Sequence, residues 1–257
     1  MKILAIGDVT SPRGVEHLCK NLWKYRKEKG IDFCVVNGEN ASFISGIAAE
    51  QAEELLRSGA DIITGGNHTM HAKGASRFLE EMREVLRPVN YGDAAPGRGY
   101  DIFDASGYRV LVINALGIVG VEPRLDSPFV YIDRVLSECR GKYDLAVLDI
   151  HAEATGEKLA IGHAYDGKIN VIFGTHTHVP TADMQVLPKG SGYVSDLGMC
   201  GESGGILGMD AEIVVERMRT RLPIYYKPAV GDVVADGVIF DVDTSTGAVK
   251  TVERVKL

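Results

Sequence analysis

Short apolar runs alternate along the chain with stretches in which apolar residues recur every three or four positions, the order expected of repeated βαβ units. Residues 3–6 form a continuous apolar run and predict a buried strand. Residues 15–29 place Leu18, Leu22 and Tyr25 at helical spacing, and Gly30 supplies the stop. The same alternation predicts a strand over 33–36, a helix over 48–58 closed by Gly59, and a strand over 62–64. A helix is then expected over 76–86, ending before Pro88. In the second half, 110–113, 145–150 and 171–173 read as strands, and a helix should start near Pro128, just after Ser127. From Tyr225 onward the chain reads as β-structure, with turn signals at Gly231-Asp232 and over 244–247. Residues 90–99 read as an internal loop, so 1–257 is taken as a single α/β domain.

Composition narrows the function classes. The chain is 45% hydrophobic and 25% charged, ordinary for a folded soluble protein. A formal net charge of −7 argues against extended nucleic-acid binding on a broad basic surface. It leaves a small phosphate substrate open, because a bound metal outweighs the charge of its ligands. Cys19, Cys34, Cys139 and Cys200 include no C-x-x-C pair, so neither a zinc ribbon nor a disulfide framework is suggested. The first residues are too briefly apolar for a signal-peptide core or a membrane span, and a cytoplasmic protein is expected.

The chemistry sits directly after the predicted strands. Asp8 follows KILAIG, Glu39 and Asn40 follow FCVVNG, Asn67 and His68 follow DIITGG, His151 follows LAVLDI, and His176 and His178 follow NVIFGT. In open α/β sheets ligands gather outside the carboxyl ends of strands, so these residues should converge on one crevice. Taken singly, each has a plain structural explanation: Asp8 as a turn residue, Asn67 in a left-handed turn, His151 as a hydrogen-bonded edge-of-core residue. Their recurrence at successive strand ends favours metal binding. Carboxylate, amide and imidazole donors suit Fe, Mn, Zn or Co better than Ca. Asp8, Glu39, Asn40, Asn67, His151, His176 and His178 exceed the needs of one four-coordinate ion, which points to two ions with Glu39 able to bridge them. His68, beside the ligand Asn67, is placed to face substrate and donate a proton, since an unperturbed imidazole titrates near neutrality. His17 reads as a surface residue, and His71, His163, Arg13 and Arg98 receive no role. The glycine-rich stretch 198–208 lacks the G-K-[ST] of a phosphate loop and reads as a flexible connector.

The motifs Gly7-Asp8-Val9, Asn37-Gly38-Glu39-Asn40, Gly65-Gly66-Asn67-His68-Thr69, the stretch from Asp149 to Thr155 and Gly174-Thr175-His176-Thr177-His178 resemble the YmdB-type branch of the calcineurin-like metallophosphoesterases. The likeness covers nearly the whole chain. It departs at Met70-His71, where the branch has Trp-Asp, at a shorter loop after Asp8, and at Ile118, where an Arg is usual. The resemblance implies a four-layer αββα sandwich and hydrolysis of 2′,3′-cyclic nucleotides to 3′-nucleotides by a metal-bridging hydroxide. It further implies that Asp8, Glu39, Asn40 and His178 hold one divalent or mixed-valence ion, that Glu39, Asn67, His151 and His176 hold the other, and that His68 is the general acid. Iron or manganese is expected ahead of zinc or cobalt. A phosphomonoesterase, an RNA-directed nuclease, or a metal-bound regulatory protein with residual hydrolysis stand as alternatives. The partner expected is a small phosphodiester, with no membrane; a homo-oligomer is left open.

Overall fold

Alternate side chains of the central strands enter different cores, and this period of two explains why their sequences are apolar throughout. The computed structural model describes residues 1–42 and 45–257. In β1 (Lys2–Ile6) Leu4 and Ile6 face one core while Ile3 and Ala5 face another; β3 (Phe33–Asn37) divides Cys34 and Val36 from Phe33 and Val35 in the same way. In β7 (Tyr108–Leu116) and β8 (Leu145–His151), Val110, Val112, Leu145 and Val147 join Ile3 and Phe33 in the middle core, and Leu111, Ile113, Ala146 and Leu148 turn to a third.

Two sheets therefore pack face to face, each covered outside by helices. The first has, among the described residues, the order β2-β12-β13-β1-β3-β4-β5, with β14 (Val249–Lys256) pairing β13. Its further strands are β2 (Asp8–Val9), β4 (Ile62–Thr64), β5 (Val85–Leu86), β12 (Met199–Glu202) and β13 (Val233–Val242). The second runs β10-β11-β9-β8-β7-β6, from β6 (Tyr100–Ala105), β9 (Val171–Thr175), β10 (Gln185–Val186) and β11 (Gly192–Val194). Residues of α1 (Pro12–Lys29), α2 (Ala49–Ser58) and α3 (Ala75–Glu81) fill the core outside the first sheet, and those of α4 (Pro128–Glu138) and α5 (Thr155–Tyr165) the core outside the second. This is the expected αββα sandwich. A sixth helix, α6 (Ala211–Thr220), buries only Val214.

Several expectations need correction. The helix expected over 76–86 stops at Glu81, and Val85–Leu86 is a strand parallel to β4. Val85 enters the core outside the first sheet and Leu86 the core between the sheets, the two-faced burial of a strand. The β-structure expected from Tyr225 begins only at Val233, after an irregular segment. The 198–208 connector contains β12, which pairs with both β2 and β13 and is part of the first sheet. The first helix starts earlier than expected, at Pro12, because the Ser11 hydroxyl accepts from the Gly14 amide as an N-cap.

Candidate metal centre at the junction of the two sheets

β1, β3 and β4 are mutually parallel, as are β7, β8 and β9, so their carboxyl ends lie together on either side of one seam. The first sheet brings Asp8, Glu39, Asn40, Asn67 and His68 to it, and the second brings His151, His176 and His178. Asp8, Glu39 and His151 are fully buried. Asp8 Oδ1 lies 3.7 Å from both His151 Nδ1 and His178 Nε2. His151 Nε2 lies 3.1 Å from Asn67 Oδ1, 3.1 Å from His176 Nδ1 and 3.7 Å from Glu39 Oε1. His68 Nδ1 is 2.8 Å from Asn40 Oδ1, and the His68 amide donates to Glu39 Oε1. All the residues singled out at strand ends thus meet in one place. His151 can sit beneath the Gly66-Asn67 turn only because Gly66 has no side chain: a Cβ there would fall 2.2 Å from the imidazole.

A polar layer beneath these residues was not legible as function. Asp149 accepts from Thr64 (2.5 Å), Asn37 (2.9 Å) and Thr175 (2.8 Å), joining both sheets through a buried carboxylate. Since the Thr175 proton goes to Asp149, its oxygen takes the Nδ1–H of His151 at 2.9 Å, and the lone pair of Nε2 is left facing Asn67 and Glu39. On the far side of His176, Nε2 lies 3.2 Å from Glu153 Oε2, which leaves Nδ1 turned inward. His176 and His178 both have left-handed backbones, φ 99° and 61°, a strained arrangement for non-glycine residues that its surroundings must enforce. Two buried charges do so. Lys158 Nζ donates to the Thr175 carbonyl (2.8 Å) and to Asp196 Oδ2 (2.7 Å), and Asp196 accepts the Thr177 and Gly198 amides. The only hint of this layer in the sequence was polar residues, Asn37, Thr64, Asp149 and Thr175, at the ends of otherwise apolar strands.

Burial dominates the electrostatics. It raises Asp8 to about 7, with Asp196 adding to the effect, raises Asp149 to about 7, and pushes Glu39 well above its ordinary range. It also lowers His151, His176 and His178, the last against hydrogen bonding to the Leu207 carbonyl. His68 is lowered to about 4 by burial and then by His71, His176 and His178. In the metal-free protein this imidazole is therefore neutral at pH 7. His163, Arg13 and Arg98 stand apart: His163 is exposed, Arg13 bonds Gly231 O, and Arg98 pairs with Asp101. His17 is half-buried against the Leu257 carbonyl, while His71 packs on His68 with ring centroids 4.9 Å apart.

Among the described residues no three His, Cys, Asp or Glu side chains are already closed into a metal-binding group. What they offer is a shared deficit of positive charge. Asp8 Oδ1 is buried without a hydrogen-bond partner. Lone pairs of His151, Asn67 and Glu39 also face one another across 3.1–3.7 Å. A divalent cation satisfies both conditions, so the donor set fits one.

An αββα sandwich with acidic, amide and imidazole donors converging at the seam between its sheets defines a metallophosphoesterase fold. The model of the YmdB-like protein family matches residues 4–255, and the chain belongs to that family. A "2′,3′-cyclic-nucleotide 2′-phosphodiesterase" of Bacillus subtilis (strain 168) is 39% identical over 255 residues, 99% of this chain and 96% of the relative. A hypothetical protein from Thermus thermophilus superposes with a TM-score of 0.92 at 33% identity, covering 100% of this chain and 99% of the other. A "novel phosphatase" of Mycoplasma pneumoniae gives 0.92 at 30%, covering 100% and 93%. The enzyme class that goes with the family is phosphodiesterase hydrolase, and its metallophosphoesterase type implies divalent metal. Among the described residues no helix is long and apolar enough to cross a membrane.

Proposed function

We propose that the protein is a dinuclear-metal phosphodiesterase that opens 2′,3′-cyclic nucleotides to 3′-nucleotides. The observation that carries this reading is geometric: buried Asp8 and Glu39 meet Asn67, His151 and His178 within 3.1–3.7 Å at one seam, and Asp8 Oδ1 is buried there without a hydrogen-bond partner. Asp8, Glu39, Asn40 and His178 would hold one ion, and Glu39, Asn67, His151 and His176 the second. Iron or manganese is the preferred metal. When bound, the pair supplies the positive charge that activates water and stabilises the phosphoryl transition state.

The chain's own groups do the rest. Thr175 and Glu153 fix which ring nitrogen of His151 and His176 faces inward. Asn40 takes the Nδ1–H of His68, so Nε2 is the atom that holds or gives the proton of the leaving 2′ oxygen. An anionic phosphate beside His68 would favour the protonated ring, opposing the burial that lowers it in the free protein. The phosphodiester expected is small, and the protein is expected to work in the cytoplasm.

The test is turnover by chelator-stripped protein reloaded with Mn²⁺ or Fe²⁺, assayed on 2′,3′-cyclic AMP with 2′-AMP and 3′-AMP as chromatographic standards. Metal-dependent formation of 3′-AMP is expected. His68→Ala should lose at least about 100-fold in kcat with metal content unchanged. Turnover of phosphomonoesters but not of the cyclic diester would replace this reading with a phosphomonoesterase, and full turnover by His68→Ala would remove His68 from the mechanism.

A further inference from the structure

Residues 217–231 stand out from the rest of the chain. They carry Arg217, Arg219, Arg221 and Lys227 and no Asp or Glu, in a protein whose formal net charge is −7. Tyr225 is 91% exposed and Tyr226 49%. After α6 the backbone runs from 222 to 227 without helix or strand, and Leu222, Tyr225 and Tyr226 stay exposed along it.

This arm is nevertheless held in place, and it is held against the site. The Arg217 guanidinium stacks over the Tyr226 ring at 4.4 Å and donates to the Ile224 carbonyl. The Lys227 carbonyl accepts the Asp210 amide, and the Ala229 amide donates to the Gly208 carbonyl, each at 2.9 Å. The next residue back, Leu207, carries the carbonyl that meets His178 Nδ1 at 3.2 Å. Tyr226 lies three residues from Ala229, so roughly 11 Å of extended chain at most separates it from the strip that borders His178.

Exposed aromatic rings beside cations such as Arg219, Arg221 and Lys227, which form no ion pair among the described residues, are the features that hold single-stranded nucleic acid: bases stack on the rings and phosphates pair with the cations. We infer that the arm holds the nucleotides immediately upstream of the reacting phosphate, so that the preferred substrate is the 3′ end of a short single-stranded RNA closed as a 2′,3′-cyclic phosphate. The inference rests on the phosphodiesterase reading above. The reaction is unchanged: water adds to phosphorus, the bond to the 2′ oxygen breaks, that oxygen is protonated, and the RNA leaves with a 3′-phosphate. Arg219, Arg221 and Lys227 suffice for a few phosphates, and a protein of formal net charge −7 keeps the grip short. A second copy of this chain fits less well, because a two-fold contact through the arm would set its cations against their own copies.

The test compares Mn²⁺-loaded protein on 2′,3′-cyclic UMP and on a uridine hexanucleotide ending in a 2′,3′-cyclic phosphate. Wild type should show a kcat/KM at least about tenfold higher on the hexanucleotide. Tyr225→Ala and the pair Arg219→Glu, Arg221→Glu should each remove most of that advantage while leaving cyclic UMP turnover unchanged, and Tyr225→Phe should retain it. Affinity for a labelled hexanucleotide with a 3′-phosphate end, read by fluorescence anisotropy, should fall with salt, and less steeply in the charge-reversed variant. Equal kcat/KM on the two substrates in wild type overturns the inference, as do variants that slow both alike. Variants that change the sedimentation of the protein but not the substrate ratio assign the arm to self-association instead. If neither substrate is turned over, the phosphodiesterase reading has failed, and the anisotropy measurement still decides whether the arm binds RNA.

Discussion

Replacing Lys158 by Met removes a buried ammonium and keeps the length of its stem. In the native protein that ammonium answers Asp196 at 2.7 Å and the Thr175 carbonyl at 2.8 Å, with both side chains at most 2% exposed. The substitution strands the Asp196 carboxylate away from water, which costs about 3–5 kcal/mol. At roughly 2–4 °C per kcal/mol for a chain of this size, the melting midpoint should fall by about 6–20 °C. Adding Asp196→Asn removes the stranded charge and keeps one oxygen for the Gly198 amide, while the Thr177 amide, bonded in the native protein to the other oxygen, loses its partner. The double variant should then regain part of the loss, the remainder of about 1–3 kcal/mol being the bonds lost at the Thr175 carbonyl and the Thr177 amide. Thermal and urea unfolding of the four proteins in the cycle measure this directly. Mn²⁺ titration of each adds a second readout, since the clamp enforces the strained backbones of His176 and His178: the single variant should bind more weakly than the double. A Lys158→Met protein melting within a degree or two of native would refute the reasoning. So would a double variant no more stable than the single.

Three further outcomes follow from the site. In the proposed dinuclear site one carboxylate, Glu39, serves both ions, so Glu39→Ala should lower both together; two ions per chain by elemental analysis would contradict that assignment. Glu153→Gln should weaken metal binding about 10–100-fold with little change in melting midpoint, because an exposed group orienting His176 contributes little to folding; unchanged calorimetric affinity would count against it. Protein stripped of metal should lose stability as pH rises from about 6.5 to 8. Burial raises Asp8 and Asp149 to about 7 and Glu39 further above its usual range, so the folded state holds protons that the unfolded chain has released, and each loses ground as pH climbs. The lowered histidines act in the opposite sense, but only below about 6.5, where the unfolded chain takes up protons they refuse. Mn²⁺ should abolish the decline, and melting midpoints that increase over this range without metal would refute the assignment.

The fold was legible wherever a strand is buried on both faces, because an unbroken apolar run such as ILAI needs no tertiary context. It was illegible where stability comes from elsewhere. The helix Thr155–Tyr165 has two glycines and no clean apolar stripe, and α6 buries a single residue, so neither shows the spacing that marks an amphipathic helix. Val85–Leu86 continued a helical pattern yet pairs with β4, a choice made by the neighbouring strand. The candidate ligands could be found because each follows its strand directly. Lys158, Asp196 and Glu153 could not, since their importance lies in whom they meet: Lys158 reaches across 17 residues to Thr175 and 38 to Asp196, from a helix that was itself unseen.

The donors are split between the sheets: carboxylates and amides come from one, imidazoles from the other. A cation held by both sets, as proposed, would fasten the halves together like a rivet. Prying the sandwich open means first tearing metal from one partner, so loaded protein should come apart far more slowly than its equilibrium stability alone suggests. Durability and activity would then depend on the same few atoms.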